Sequence, residues 1–267
     1  MTGISIRMII QDISHLSSIC QMPCKKNVYG MVSIHQQKRN YMKEWLITGE
    51  KDTRSKKDDI KIMEYNEIVT QVIEFLGTFA FAISGIRHAA AKHFDWFGGY
   101  VCGIAVAIGG GTIRDVMLGA TPFWMTNPFY MICTALALIF VIIFAKHMEG
   151  LRNTWFVFDT LGLALFTIAG IQKSLAFGQP YWVAIIMGCI TGSAGGVIRD
   201  VLLNNEPVIF QREIYAMASV AGGITYWLLD YLNTPIEVTV IVTFFLICLI
   251  RFLAVRYHLS LPILKSE

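Results

Sequence analysis

The sequence predicts an all-α membrane protein with seven transmembrane helices, arranged as a 3+3 inverted repeat plus one. First, 55% of the 267 residues are hydrophobic and only 15% are charged, whereas ordinary globular chains are roughly 25% charged. Second, the apolar residues lie in long runs separated by short polar segments. Third, one block of the chain recurs 85 residues later with the same glycines and charges. Lipid is therefore the predicted surrounding of most of the chain.

Composition and motifs exclude several classes of function. The net charge of +3 is small, and no basic face near aromatic residues predicts nucleic-acid binding. Four of the six cysteines lie in apolar runs, where cysteine is usually a small buried hydrophobe. The spacing of Cys20 and Cys24 matches no strong zinc pattern, and there is no nucleotide-binding loop, metalloprotease motif or serine elbow. We expect neither an enzyme, nor a resident cofactor, nor a structural metal.

The first 62 residues differ from the rest of the chain. They are polar and unpatterned, so we predict a flexible tail without a packed core. Met63 directly precedes the first apolar run and offers an alternative start of the functional chain, which N-terminal sequencing of native protein would test. The remaining chain divides into a first three-helix repeat at 63–150, a second, inverted repeat at 151–232, and a seventh helix with a short tail at 233–267.

Seven apolar runs are long enough to cross a bilayer, because a helix needs about 20 residues to cross about 30 Å of hydrocarbon. Helices are the expected spanning form, since backbone groups find no water partner in lipid. Tryptophans, tyrosines and prolines near the ends of the runs mark their boundaries. The predicted spans are 67–87, 97–118, 128–146, 155–175, 181–203, 213–231 and 236–256.

Basic residues predict the orientation of these spans. Outside the tail, the loops on the C-terminal side hold almost all of the lysines and arginines, and the loops on the other side hold only Lys173. Short cytoplasmic loops carry such an excess, so we predict a cytoplasmic C-terminus. The tail of residues 1–62 opposes this orientation with eleven basic against six acidic residues, a conflict that a start at Met63 removes.

The repeat aligns residues 74–130 with residues 159–215 without a gap. Glu74 meets Asp159, and several glycines and a proline match in the same register. Each copy contains three predicted spans, and an odd number of crossings inverts the second copy relative to the first. Inverted repeats are typical of transport proteins, whose functional site lies at the interface between the repeats.

Two glycine-rich segments lie within spans two and five, the first followed by Thr-Ile-Arg-Asp and the second by Val-Ile-Arg-Asp. Their residues are Gly109, Gly110, Gly111, Ala194, Gly195 and Gly196. Glycine is a poor helix former, so we expect helices two and five to break or kink here. Freed carbonyls could hold a passing K⁺ or Na⁺, and the start of the following half-helix could hold an anion. The carbonyls in question lie near Ile108, Gly109, Ser193 and Ala194. Close helix packing is the alternative use of such glycines.

Six ionisable residues lie at or within the predicted spans. They are Glu74, Arg114, Asp115, Asp159, Arg199 and Asp200. Such residues usually face a cavity or pair with one another, so we expect them to line a pathway or to stabilise the helices. Each arginine is expected to pair with Glu74 or Asp159, and the sequence does not decide which. His88 and Lys173 are equivalent in the repeat, and each is a candidate for a mouth of the pathway or an ordinary interface charge.

These motifs resemble a known family. The segments Phe79-Ala80-Phe81-Ala82-Ile83-Ser84-Gly85, 107–115, Pro122-Phe123-Trp124 and 195–203, with Glu206-Pro207, resemble the bacterial YicG-type membrane proteins, which are similar to the prokaryotic trimeric intracellular cation (TRIC) channels. The resemblance covers about residues 65–258. It implies seven helices in a 3+3 inverted repeat plus one, and a homotrimer in the bacterial inner membrane with one pore per protomer, kinked at the glycine motifs. Permeation of K⁺ and Na⁺ is the implied activity.

Two functions stay open at this point. The leading prediction is a monovalent cation channel whose partners are other copies of the chain and the lipid bilayer. The alternative is a small amino-acid transporter, because some relatives are described as glycine transporters and because a half-helix N-terminus also suits a substrate carboxylate. Ala194 stands where the first motif has Gly109, so the second kink is expected to be tighter or less mobile than the first.

Overall fold

The structure, a computed structural model, describes the backbone of residues 53–149, 154–210, 214–257 and 259, and within these ranges it is helical without any strand. Two short helical segments, Phe123–Thr126 and Val208–Phe210, follow the second and fifth long helices. The long helices are α1 (Thr53–Ala91), α2 (Trp96–Met117), α3 (Phe129–Glu149), α4 (Thr154–Ala176), α5 (Tyr181–Leu202), α6 (Ala216–Tyr231) and α7 (Ile236–Arg256).

The helical membrane architecture is confirmed in its coarse form. Five of the described helices are long and apolar enough to cross a bilayer, namely residues 68–91 of α1, residues 155–176 of α4, and α2, α5 and α7. The apolar part of α3, Phe129–Phe144, is shorter, and α6 has 16 residues. Since α1 begins at Thr53, the predicted tail boundary at residue 62 falls within a helix, and residues 1–52 lie outside the described ranges.

The repeat is visible in the backbone. Helices α2 and α5 begin and end at equivalent residues, 85 positions apart. After each helix the chain turns back through a residue with positive φ, which is Gly119 (φ 69°) in the first copy and Asn204 (φ 52°) in the second. Glycine has no Cβ to clash in this conformation, and asparagine tolerates it better than most residues. The two turns are therefore built alike despite their different sequences.

Helices α2 and α5 cross each other in opposite directions. A Cβ atom on Gly110 would stand 2.1 Å from the carbonyl oxygen of Thr191, and one on Gly195 would stand 2.7 Å from that of Val106. The repeat makes these two contacts equivalent, because Gly110 corresponds to Gly195 and Val106 to Thr191. A later residue of each helix meets an earlier residue of the other, so the helices are antiparallel. Reciprocal contacts of this kind are the signature of a two-fold axis between the copies.

Helices α1 and α4 repeat this arrangement beside the first pair. The rings of Phe81 and Phe166, which are equivalent residues, stack with centroids 5.3 Å apart. Gly77 lies against Phe166, and Gly162 lies against Phe81. The four helices α1, α2, α4 and α5 thus form the centre of the bundle. Helix α3 packs on α1 and α2, α6 packs on α4 and α5, and α7 packs on α4 and α6.

Neither glycine segment interrupts its helix. Helices α2 and α5 are helical from end to end, so the expected breaks with freed carbonyls are corrected by the structure. The glycines instead permit close packing, since a Cβ on Gly109 would stand 2.3 Å from Ile198 and one on Gly111 would stand 2.4 Å from the Phe123 ring. Tertiary contacts of this kind override the weak helix propensity of glycine. A bend within the continuous helices stays a prediction.

Candidate functional site

Two buried clusters of charged residues lie at the C-terminal ends of α2 and α5. Because these helices are antiparallel, the clusters occupy opposite ends of the α2–α5 pair and are related by the two-fold axis. The first cluster consists of Glu74, Arg114, Asp115, Tyr130 and Lys173. The second cluster consists of Ser84, Asp159, Arg199, Asp200 and Tyr215.

In the first cluster, a fully buried arginine lies between two carboxylates. Arg114 Nη2 is 2.7 Å from Glu74 Oε1, and Arg114 Nε donates to Asp115 Oδ1 at 2.7 Å. Lys173 Nζ, which comes from the other copy, contacts Asp115 at 3.0 Å. Removing one partner of a buried ion pair leaves an uncompensated charge and is strongly destabilising. The cluster therefore fixes α1, α2 and α4 to one another.

The second cluster repeats these ion pairs. Arg199 Nη1 forms a short contact with Asp159 Oδ1, and Arg199 Nε donates to Asp200 Oδ1 at 2.8 Å. Arg199 Nη1 also donates to the hydroxyl of Ser84 at 3.0 Å, which ties the cluster to α1. The structure therefore pairs each arginine with the acid of its own copy. That choice, which the sequence left open, is made by the packing of α1 on α2 and of α4 on α5.

Each aspartate of an Arg-Asp pair also anchors the loop that follows its helix. Asp115 Oδ2 accepts the backbone N–H of Phe123 at 2.8 Å, and Asp200 Oδ2 accepts that of Val208 at 3.0 Å. Sequence reasoning missed this role. The signal for it was the constant spacing from each aspartate to the proline seven residues later, which precedes the bonded N–H. The loops are thereby held at the ends of the helix bundle.

Tyr130 and Tyr215 are equivalent residues that sequence reasoning also missed. The Tyr130 hydroxyl donates to Glu74 Oε2 at 3.0 Å, and its ring stacks on Phe75 with centroids 4.3 Å apart. Tyr215 is 1% exposed, and the Arg251 guanidinium of α7 lies 4.7 Å from its ring centroid. The register of the repeat pairs these tyrosines and could have found them. A buried tyrosine ring beside a carboxylate thus belongs to each cluster.

The two candidate mouth residues have different surroundings. Lys173 bonds to Asp115 of the first cluster, and its side chain is 21% exposed. His88 is half-buried, its Nδ1 lies 3.1 Å from the carbonyl oxygen of Ser84, and its ring packs edge-on against Trp155. Lys173 and His88, which are equivalent in the repeat, therefore make different contacts at the two ends of the bundle.

The residues predicted to hold a passing cation lie along the crossing of α2 and α5. Ile108, Gly109 and Ala194 are half-buried there, and Ser193 is buried. The Ile108 carbonyl accepts the hydroxyl of Thr112 at 2.7 Å, while the Ser193 hydroxyl donates to a carbonyl one turn earlier. Among the described residues, no group of three or more histidines, cysteines or acids is placed to hold a metal ion.

Known proteins resemble this chain over both copies of the repeat. A family model described as glycine transporter matches residues 71–146 and 156–231. A UPF0126 membrane protein of Vibrio cholerae is 39% identical over 197 residues, which are 72% of this chain and 81% of that protein. The UPF0126 inner membrane protein YadS of Escherichia coli is 37% identical over 194 residues, 71% of this chain and 93% of YadS.

A solved structure extends the likeness to the fold. The TRIC trimeric intracellular cation channel orthologue from Rhodobacter sphaeroides matches with a TM-score of 0.68 and 33% sequence identity, over 72% of this chain and 99% of that chain. The likeness thus covers nearly the whole of that channel. The chain therefore belongs to the family that comprises the UPF0126 membrane proteins and the prokaryotic TRIC channels.

Proposed function

We propose that the chain forms a cation channel of the bacterial inner membrane, with one pore in each protomer of a homotrimer. The observation that carries this proposal is the match to nearly the full length of a protein described as a trimeric intracellular cation channel. The name of the Escherichia coli relative, an inner membrane protein, supports the location. K⁺ and Na⁺ are the proposed permeant ions, and no resident cofactor takes part.

The proposed pathway follows the crossing of α2 and α5 from one charged cluster to the other. Each arginine contacts two carboxylates, so neither presents an uncompensated positive charge to a cation. Charged groups at this depth usually face a protein interior or a water-filled path. Half-buried positions such as Gly109 and Ala194 would line this path, and a bend of α2 and α5 at the glycines would set its width. Lys173 and His88 would lie near its two mouths.

The proposed topology has seven spans, with the C-terminus in the cytoplasm. The antiparallel crossing of α2 and α5 supports an inverted repeat of three helices each, and α7 is the additional span. The excess of basic residues in the loops on the C-terminal side supports the orientation. A reporter that is active only in the cytoplasm, fused after residue 267, tests this topology. An inactive reporter on well-expressed protein contradicts it.

Current across a planar bilayer containing the purified chain, under a KCl gradient, tests the proposed activity. Discrete steps that reverse near the K⁺ equilibrium potential are expected. Gly109→Leu should reduce the unitary current because it places bulk at the crossing, whereas Val101→Leu, at a 46% exposed position of the same helix, should leave the current unchanged. A silent bilayer with inserted protein contradicts the channel, and equal currents from both variants contradict this pathway.

The second candidate is a glycine transporter. The description of the matching family model favours it. So do buried guanidinium nitrogens without a hydrogen-bond partner on both arginines, among them Nη1 of Arg114 and Nη2 of Arg199, since guanidinium groups recognise carboxylates. This function predicts saturable uptake of labelled glycine into liposomes, with competition by alanine and without discrete current steps. Uptake that is equal in protein-free liposomes would exclude it.

A further inference from the structure

The acid and the tyrosine of each cluster make different contacts in the two clusters. In the first cluster, the Tyr130 hydroxyl donates to Glu74 Oε2 at 3.0 Å. In the second cluster, the equivalent atoms are the Tyr215 hydroxyl and Asp159 Oδ2, and both are buried without a hydrogen-bond partner. Buried polar atoms in native proteins are nearly always hydrogen-bonded. The second cluster therefore has two unsatisfied atoms at the place where the first has a bond.

The length of the acid explains the difference. Asp159 is one methylene shorter than its counterpart Glu74, so its carboxylate ends further from the tyrosine. The Tyr215 hydroxyl and Asp159 Oδ1 lie 2.5 and 3.7 Å from the point where a Cβ on Gly196 would stand, so they border the same small space. The Tyr215 ring is held against the Arg251 guanidinium of α7. This contact keeps the ring from moving toward the shorter acid.

A third polar atom without a hydrogen-bond partner belongs to the same cluster. Arg199 bonds to Asp159 through Nη1, and its Nη2 is buried without a hydrogen-bond partner. Arg114 also has such nitrogens in the first cluster, Nη1 and Nη2, the second of which lies 2.7 Å from Glu74 Oε1, so the guanidinium alone does not distinguish the clusters. The distinguishing feature is the combination of an acceptor on Asp159, a hydroxyl on Tyr215 and a donor on Arg199, all three buried without hydrogen-bond partners in one cluster.

We propose that the second cluster binds one water molecule between Asp159, Tyr215 and Arg199. Water can accept the N–H of Arg199 Nη2, donate to Asp159 Oδ2 and bond to the Tyr215 hydroxyl, and about three partners are typical of a buried water. Two arginines, Arg199 and Arg251, disfavour a cation at this position, and the carboxylate of Asp159 disfavours an anion. The first cluster holds no water between its acid and its tyrosine, because Glu74 reaches Tyr130 directly.

X-ray radiolytic labelling of the full chain in nanodiscs tests the site, since hydroxyl radicals formed from a bound water modify the side chain beside it. Tyr215 should be labelled several-fold more than Tyr130. Radicals that arrive from bulk water cannot label Tyr215 more than Tyr130, because Tyr215 is 1% exposed and Tyr130 is 3% exposed. Asp159→Glu should lower the labelling of Tyr215, and the reciprocal change Glu74→Asp should raise that of Tyr130.

Three results would overturn the proposal. The first is equally weak labelling of both tyrosines in the unmodified chain. The second is unchanged labelling of Tyr215 in folded Asp159→Glu protein. The third is labelling of Tyr215 that depends on replacing K⁺ by choline, which would assign the site to a cation. If Asp159→Glu does not fold, two measurements still test the proposal. They are the ratio of Tyr215 labelling to Tyr130 labelling in the unmodified chain, and the labelling of Tyr130 in the Glu74→Asp variant.

Discussion

The closest approach of α2 and α5 makes Gly110→Ala the most informative substitution. The new Cβ would stand 2.1 Å from the carbonyl oxygen of Thr191, whereas carbon–oxygen contacts between helices are normally about 3.3 Å or more. The carbonyl oxygen is a backbone atom and the backbone fixes the position of the Cβ, so no side-chain rotation can relieve the clash. The helices must therefore separate by about 1.2 Å at their crossing, and the reciprocal contact of Gly195 with Val106 loosens with it.

The size of the effect follows from two opposing contributions. Overpacking of this kind costs about 1–3 kcal/mol, while alanine favours a helix over glycine by about 0.5–1 kcal/mol. We expect a net loss of about 1–2 kcal/mol in the free energy of unfolding. For a domain of about 200 residues, this lowers the melting temperature by roughly 2–8 °C.

Thermal unfolding of purified protein in one detergent, at one scan rate, measures this loss. Gly99→Ala is the matched control on the same helix, because its new Cβ would lie 3.9 Å from the nearest atom, Ile86 Cγ2. This control should be neutral or slightly stabilising. If Gly110→Ala melts at or above the temperature of Gly99→Ala, the close contact of α2 with α5 is not as described, and the crossing does not hold the two copies together.

Substitutions at three further positions test the clusters and the turns. Arg114→Gln leaves the buried Glu74 carboxylate without its cation, while Asp115 keeps Lys173; it should destabilise the protein by about 3–5 kcal/mol, seen as loss of monodisperse protein in detergent. Lys173→Met removes one of the two cations that contact Asp115; because Arg114 still pairs with this carboxylate, the loss of stability should be smaller than the about 3–5 kcal/mol of Arg114→Gln, with altered bilayer currents. Gly119→Ala forces a side chain into a left-handed turn and should cost about 1–2 kcal/mol, whereas Gly119→Asn should cost less, because Asn204 occupies the equivalent turn.

Each of these expectations has an outcome that contradicts it. Normal yield and melting temperature of Arg114→Gln would mean that the carboxylates do not need this partner. Currents of Lys173→Met that match those of the unmodified chain at every voltage would remove Lys173 from the mouth of the pathway. Equal melting temperatures of Gly119→Ala and Gly119→Asn would mean that the positive φ at residue 119 does not make alanine less favourable than asparagine in this turn.

The helices could be predicted from sequence because their signals are local. The run 97–118 is shifted by one residue from α2, and the run 181–203 is one residue longer than α5. Aligning the two copies of the repeat also paired the correct residues, since the register depends only on matching residue types along the sequence. The choice of Glu74 rather than Asp159 as the partner of Arg114 required the packing of α1 on α2, which no local pattern encodes.

The glycine segments show where local reasoning fails. Glycine favours a break when the helix is considered alone, yet here the missing side chains leave room for Thr191, Ile198 and Phe123. The benefit of that packing appears only when the neighbouring helix is in place. The same limit applies to Tyr215 and Asp159, whose missing hydrogen bond depends on one methylene and on the position of an arginine in α7.

The reciprocal crossing of α2 and α5 bears on how such a molecule could have arisen. Gly110 is covered by the other copy and Gly195 by the first, so a protein with only one copy would leave this face of its helix open. A second molecule of the same chain could cover it, but only after inserting upside down in the bilayer. An ancestor with a single copy would therefore have needed both orientations in one membrane. Duplicating its gene and joining the two copies into one chain removed that requirement. Only after the gene was duplicated could the two ends diverge, as Glu74 and Asp159 have done.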